Sequence, residues 1–179
     1  MQLALTDLRR QSASRITGLV LAVAVTVILA AHAFEVIGGY IPCPLCLQQR
    51  YAYYAAIPGL GIALYLLHAG LERLALGVLL AVSVAFLANA GLGAYQAGAE
   101  WKFWDPPQSC AAAATLPTLQ LDAKGLGRVP VSCGVASWRF FGLSFAGWNA
   151  VASLALAAGA AAAAATARSK ARPDGGMQR

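Results

Sequence analysis

The chain has 179 residues, 13 Lys and Arg against 7 Asp and Glu, 59% hydrophobic residues and four cysteines. Only 11% of its residues are charged, against about 25% in a soluble domain, which argues against a soluble globular enzyme. Disorder is excluded more firmly, because low hydrophobicity and dense charge are what keep a chain from burying itself, and one domain, residues 1–179, is expected at this length.

The basic tail 1–15 holds Arg9, Arg10 and Arg15 and is followed by 19 uncharged residues before Glu35. A window of that length crosses a bilayer core of about 30 Å as a helix, and a first span is predicted at 16–37. The tail, the apolar run and Ala31-His32-Ala33 also have the outline of a cleavable signal peptide. The run is longer than a signal core and continues past the supposed cleavage site to Ile37, which favours a span. Glu35 reads as an interfacial charge. A short loop, 38–46, contains Cys43-Pro44-Leu45-Cys46 and leads into a second predicted span at 47–68, drawn from the 21 uncharged residues between Arg50 and Glu72. Pro58 falls inside it and is expected to kink it, which a membrane helix tolerates.

The third span is predicted at 73–97, from 26 uncharged residues between Arg73 and Glu100. The long loop 98–142 then carries Cys110, Cys133 and an aromatic set, Trp101, Phe103, Trp104, Trp138, Phe140 and Phe141, which reads as the belt found at membrane boundaries. Leu116 to Val131 alternates apolar with polar residues around Pro117, Gly125, Gly127 and Pro130. It is expected to lie in the interface and to hold Cys133 near Cys43. The fourth span, 143–167, lies among 28 uncharged residues between Arg139 and Arg168 and is the weakest by composition, being mostly alanine from Ala155 to Ala167 with Asn149 and Ser153 inside. A basic tail, 168–179, follows and reads as a stop-transfer segment touching anionic lipid. The expected fold is all-α, a bundle of four transmembrane helices.

Lys and Arg set the orientation. With both termini cytoplasmic, the inner face holds Arg9, Arg10, Arg15, Arg73, Arg168, Lys170, Arg172 and Arg179, and the outer face Lys102, Lys124, Arg128 and Arg139, with Arg50 at a helix start. The basic residues are divided among tails and loops with no basic helix, so nucleic acid is not an expected partner. All four cysteines then lie outside, where disulfides persist.

Two disulfides bracing the outer loops are one reading of these pairs, in a non-catalytic four-helix membrane protein. Three features of Cys43 and Cys46 favour redox chemistry. A C-x-x-C ring is too small to remove much chain entropy. Cys46 lies near a helix start, where unpaired N–H groups favour a thiolate. Arg50, four residues on, shares its helix face, and an arginine at the membrane edge wants a partner such as a thiolate or a polar ligand headgroup. A zinc site is disfavoured by the 22 residues between Cys110 and Cys133 and by the placement of His32 and His68 in or beside spans. Covalent haem attachment needs a histidine after Cys46, and position 47 is leucine.

Pro42-Cys43-Pro44-Leu45-Cys46-Leu47-Gln48-Gln49-Arg50 resembles the signature of the DsbB family of disulfide bond formation proteins. The second loop is similar too, in Trp101-Lys102-Phe103-Trp104 before Cys110, Ser132-Cys133, Trp138, Phe141-Gly142-Leu143 and Trp148. The resemblance runs from the first span through the fourth. It implies a bacterial inner-membrane oxidoreductase that reoxidises a periplasmic thioredoxin-fold oxidant of the DsbA type and passes the electrons to ubiquinone or menaquinone.

It implies the pairings Cys43–Cys46 and Cys110–Cys133, attack of the partner's thiolate on Cys110, exchange of Cys133 with Cys43, and a Cys46 thiolate facing the quinone. Arg50 would orient the quinone and stabilise that thiolate. Exchange needs an accessible sulfur, so a flexible loop bearing Cys110 is expected. Some relatives carry a histidine near the outer end of the third helix, where this sequence reads Tyr95-Gln96-Ala97-Gly98, and an acidic residue before the arginine, where it has Gln49. No role is read into position 49. Vitamin K epoxide reductase-type proteins also join a membrane C-x-x-C to loop cysteines but normally place the motif later in the bundle.

Overall fold

The computed structural model describes residues 2–40, 42–107, 110, 120–121, 127–128 and 133–168. The chain is mostly helical: α1 Gln2–Val36, α2 Pro44–His68, α3 Glu72–Glu100, β1 Gln120–Leu121, β2 Gly127–Arg128, β3 Arg139–Phe140, β4 Leu143–Ser144 and α4 Phe145–Arg168. The expectations for Leu116 to Val131 as an interfacial segment, and for the tail beyond Arg168, lie outside the described residues apart from the short ribbon of β1 and β2.

Helix α1 starts well before the apolar window that marked it, because Gln2 to Arg15 contains neither Gly nor Pro and is rich in Leu, Arg, Gln and Ala, all good helix formers. An apolar window marks where a helix meets lipid rather than where it begins. Among the described residues three helices are long and apolar enough to cross a membrane, Arg10–Val36, Glu72–Glu100 and Phe145–Arg168. The alanine-rich α4 is among them, so the helix that falls short is α2, diluted by Gln48, Gln49, Arg50, four tyrosines and Pro58. It continues through Pro58 without interruption.

Helix α2 is capped by Cys43, whose sulfur accepts a hydrogen bond from the Cys46 N–H at 3.2 Å, and has Pro44 in its first turn, where proline's missing N–H costs nothing. It ends at a three-residue turn in which Gly70 takes a left-handed φ of 76° and the Leu71 N–H returns to the Leu66 carbonyl at 2.9 Å, a Schellman-type stop. β3 and β4 form a hairpin about Phe141 and Gly142, both at positive φ, as a tight two-residue turn requires.

The packing is that of helices in lipid. Small side chains, among them Ala24, Ala56, Ala63, Ala157, Ala160 and Ala164, are buried around Leu60, Leu79, Val82 and Phe86, while Leu19, Leu29, Ile62, Leu80, Val84 and Leu154 face outward. Lipid accepts large apolar groups as readily as a protein core does, so association rests on close backbone approach and interhelical hydrogen bonds. The α3–α4 pair uses both. Ser83 Oγ donates to the Ala157 carbonyl at 3.0 Å and Asn89 Nδ2 to Ser153 Oγ at 2.8 Å. At Gly93 a Cβ would lie 2.9 Å from the Ala146 carbonyl oxygen and 3.1 Å from the Ala150 nitrogen.

Backbone cannot yield as a flexible side chain can, so Gly93→Val is expected to destabilise the bundle by about 1–3 kcal/mol. Gly77→Val, which meets nothing within 4 Å, is expected to leave it unchanged. Thermal unfolding of the two variants in detergent checks the difference.

Candidate functional site

At the end of the bundle where α2 begins, Cys43, Leu45, Cys110 and Cys133 form one buried cluster, with Cys46 and Leu92 packed against it. The two cysteine pairs, 64 residues apart from Cys46 to Cys110 in sequence, are thus neighbours. The outer loop is anchored there by three hydrogen bonds: Lys102 Nζ to the Gly134 carbonyl at 2.9 Å, Arg139 Nη2 to the Glu100 carbonyl at 3.3 Å and Trp104 Nε1 to the Tyr95 carbonyl at 2.9 Å.

The pairs differ in bonding. Cys110 and Cys133 are joined by a disulfide. Cys43 and Cys46, for which the family resemblance also implies a bond, are free thiols with their sulfurs 2.7 Å apart. Cys110 is 0% exposed and Cys133 1%, which corrects the expectation of an accessible sulfur on the outer loop: the disulfide is sealed inside the cysteine cluster.

The two thiols are not equivalent. The hydrogen bond from the Cys43 thiol lowers the Cys46 pKa to about 6, helped by a hydrogen bond from the Gln96 side chain, against the opposing effects of burial and of the nearby Glu100 charge. Cys43 moves the other way, well above the ordinary thiol range, because its proton is shared with Cys46 and because it is buried. At neutral pH the thiolate is therefore the favoured form of Cys46, while Cys43 keeps its proton.

Arg50 does not supply this stabilisation. Its Nη1 donates to Glu35 Oε2 at 2.5 Å and approaches His32 Nδ1 at 3.4 Å, and His32 Nε2 lies 2.9 Å from the Tyr54 hydroxyl. No hydrogen bond joins Arg50 to Cys46 among the described residues. Glu35, read from sequence as an interfacial charge, is the arginine's ion-pair partner. An arginine and a glutamate at a membrane edge neutralise each other and reduce the cost of their partial desolvation.

The sulfur of Cys46 is instead approached from α3. Gln96 Nε2 lies 3.4 Å from both Cys46 Sγ and Cys43 Sγ and 3.3 Å from Glu100 Oε1, while its Oε1 accepts from Gln49 Nε2 at 2.7 Å. Gln49, to which the sequence assigned no role, is buried and accepts at Oε1 from Asn149 Nδ2 at 2.6 Å. Glu100 is also buried, and its Oε2 has no hydrogen-bond partner among the described residues. Gln49, Gln96, Glu100 and Asn149 were all missed in sequence. A signal for them existed: Gln49 and Tyr53, Gln96 and Glu100, and Asn149 and Ser153 are i,i+4 pairs of polar side chains in or beside apolar windows, where polarity is costly and marks function.

These groups border a cavity of about 500 Å³ that Cys43 and Cys46 also line. Its opposite wall is aromatic, built from Phe34, Tyr40, Trp138, Phe140 and Phe145, with Trp138 stacked on Phe140 and Phe145 at centroid distances of 5.6 and 5.0 Å. Trp138 and Phe140, read from sequence as a membrane belt, are thus part of a pocket. A mostly apolar slot of this size, with a few convergent polar groups, fits a flat ring bearing polar oxygens. Of the polar side chains that line it, Arg50 is the one whose N–H groups would meet such a ring oxygen, because Gln49 and Gln96 are paired with each other and their neighbours and the Glu100 carboxylate only accepts.

Comparison with known proteins places this arrangement. Residues 13–163 match the family model described as disulfide bond formation protein DsbB. The chain is similar to disulfide bond formation protein B of Marinobacter nauticus, at 34% identity over 76% of this chain and 82% of the relative. It is similar to the protein of the same name from an Acidovorax species, at 30% identity over 80% and 82%. A third, from Albidiferax ferrireducens, is 35% identical over 63% and 65%. No solved structure matches.

Proposed function

The chain belongs to the DsbB family, multi-pass membrane proteins of disulfide bond formation, and from that premise we propose a protein-dithiol:quinone oxidoreductase. It takes two electrons from a DsbA-type thioredoxin-fold protein in the periplasm and delivers them to ubiquinone or menaquinone. The reading places both termini in the cytoplasm, the cysteine loops in the periplasm and α2 in the membrane as a fourth span, shielded there by its neighbours despite its polar residues.

The balance of the reaction follows from two exchanges. A thiolate of the partner attacks Cys110, breaking the Cys110–Cys133 bond, and the partner's second thiol resolves the mixed disulfide, leaving the partner oxidised and Cys110 and Cys133 reduced. That dithiol then reduces a Cys43–Cys46 disulfide and is itself re-formed as a disulfide. In this reading the two electrons then rest on Cys43 and Cys46. A quinone, when bound, would accept those two electrons and two protons, one held by the Cys43 thiol and one from bulk solvent. Cys46 presents the thiolate, Cys43 retains a proton, and the aromatic wall excludes water and orients the ring. Arg50, held by Glu35, offers a positive charge at one end of the cavity.

The observation that carries this reading is a thiolate-forming cysteine, in contact with a second thiol, lining an apolar cavity of about 500 Å³. It is tested with purified protein, a reduced DsbA-type partner and a soluble quinone whose absorbance reports its reduction. Catalysed loss of quinone absorbance is expected, and its absence would overturn the reading in favour of a non-catalytic protein with braced loops. Within the same assay Arg50→Ala is expected to raise the KM for quinone about tenfold, as for loss of one charge-assisted hydrogen bond, with the KM for the partner unchanged. Equal effects on both would refute that division of labour.

A further inference from the structure

The hydrogen bonds behind Gln96 run in one direction across three helices. Tyr53 Oη on α2 donates to Asn149 Oδ1 on α4 at 2.8 Å. Asn149 Nδ2 donates to Gln49 Oε1 on α2 at 2.6 Å, and Gln49 Nε2 donates to Gln96 Oε1 on α3 at 2.7 Å. Gln96 Nε2 then faces Cys46 Sγ, Cys43 Sγ and Glu100 Oε1.

A side-chain amide has one accepting end and one donating end, so its orientation is decided by its neighbours. Here the decision starts at Gln96. The Glu100 carboxylate and a Cys46 thiolate accept only, and both require its NH2 group; the longer approach of Cys46 Sγ to Gln96 Oε1, at 3.9 Å, serves as a hydrogen bond only when Cys46 is protonated. Its oxygen must therefore face Gln49, which must offer NH2, and the Gln49 oxygen must face Asn149, which must do the same. The Asn149 oxygen is left for the Tyr53 hydroxyl. No link can reverse without placing two acceptors or two donors face to face, and bonds aligned this way strengthen one another in a low dielectric.

We propose that Tyr53, Asn149, Gln49 and Gln96 form a directional hydrogen-bond chain that presents the Gln96 N–H to the Cys46 sulfur, making Asn149, which bonds no cysteine among the described residues, a positioning residue for the thiolate. The proposal rests on Cys46 being the redox thiolate and adds what sets its acidity. The direction of the Cys46 pKa agrees, since Gln96 contributes to lowering it. The other titratable groups at the cavity are Glu35 from α1, Tyr40 before α2, Cys43 at the α2 cap, Arg50 and Tyr53 from α2, and Glu100 from α3. Helix α4 brings no titratable side chain to it, so a change at Asn149 acts through hydrogen bonding and not through charge.

The test is a double-mutant cycle read as acidity rather than turnover. Full-length protein in detergent, with Cys43 and Cys46 reduced, is treated with iodoacetamide across pH, and modification at Cys46 is followed by mass spectrometry. The wild-type midpoint is expected near 6. Gln96→Leu is expected to raise it by about one pH unit, cutting the rate at low pH about tenfold, as for loss of a hydrogen bond to a charged group. Asn149→Leu is expected to raise it by about half a unit and to have no further effect when Gln96 is already leucine.

An unchanged midpoint in Asn149→Leu, or the same shift whether or not Gln96 is present, would overturn the chain. Should Asn149→Leu lose its helix content, Gln49→Met enters the same cycle with the same expected order. Failed quinone reduction with the cycle intact would count against the proposed function and leave the chain standing.

Discussion

Cys46→Ala is expected to abolish quinone reduction by a reduced partner protein, leaving only the rate seen without the membrane protein. The remaining thiol, Cys43, is buried and cannot alone give up the two electrons that a dithiol does. The effect differs from a general loss of fold. Cys46 is at the third residue of α2 and the cap is made by Cys43, so helix content and the Cys110–Cys133 bond should persist.

The same chemistry fixes a pH dependence. The Cys46 pKa is lowered to about 6, so the thiolate predominates above that value and is lost as the pH falls through it. Any step in which Cys46 acts as thiolate should slow about tenfold for each pH unit below about 5. Single-turnover quinone reduction by protein with its inner pair reduced, measured across pH, checks this. A flat profile down to about pH 4 would show that the thiolate is not the reacting form.

Cys110→Ser is expected to eliminate the mixed disulfide with the partner, whereas Cys133→Ser, whose Cys110 is left as a thiol, should still form the adduct by displacing the leaving thiol from a single-cysteine partner supplied as an activated mixed disulfide. Non-reducing electrophoresis separates the outcomes, and an unchanged adduct in Cys110→Ser would move the role to another cysteine. Either substitution also opens a loop closed over a sequence separation of 23, worth about 3 kcal/mol in chain entropy. Wild-type protein with this bond reduced is therefore the proper stability reference. Burial of both sulfurs adds a kinetic expectation: the outer loop must part from the cysteine cluster before a thiolate can reach Cys110, so adduct formation should be slower than attack on an exposed disulfide.

Much of the site was legible as chemistry but not as contact. Cys43 and Cys46 declare themselves by spacing, and the advantage of placing Cys46 at a helix start follows from backbone geometry alone. Arg50 was read as serving a thiolate and a ligand headgroup, whereas the side chain it pairs with in the structure is Glu35, 15 residues away on the preceding helix. Gln49 looked featureless because glutamine carries no charge and the motif around it draws attention to the cysteines. Its importance comes from Gln96 and Asn149, 47 and 100 residues distant.

Gln96 stood in the sequence only as the place where some relatives have a histidine, and it proves to be the side chain aimed at both inner sulfurs. Trp138 and Phe140 had an adequate explanation as interfacial aromatics, and nothing local distinguishes a ring facing headgroups from one facing a cavity.

By itself the sequence determined the helical class, the helices' approximate places, the two cysteine pairs and the family. These are local quantities: apolar windows are set by a rise of about 1.5 Å per residue against a fixed hydrocarbon thickness, and motif spacing is read along the chain. Tertiary structure alone decided which polar groups meet Cys46, why Arg50 is engaged elsewhere and why the outer disulfide is closed off. The physical reason is rotational. A helix in lipid is apolar nearly all round, so its sequence carries little of the amphipathic stripe that tells which face turns inward. The facing of Gln49, Gln96 and Asn149 is set only when small residues such as Gly93 let the helices approach and lock their rotation.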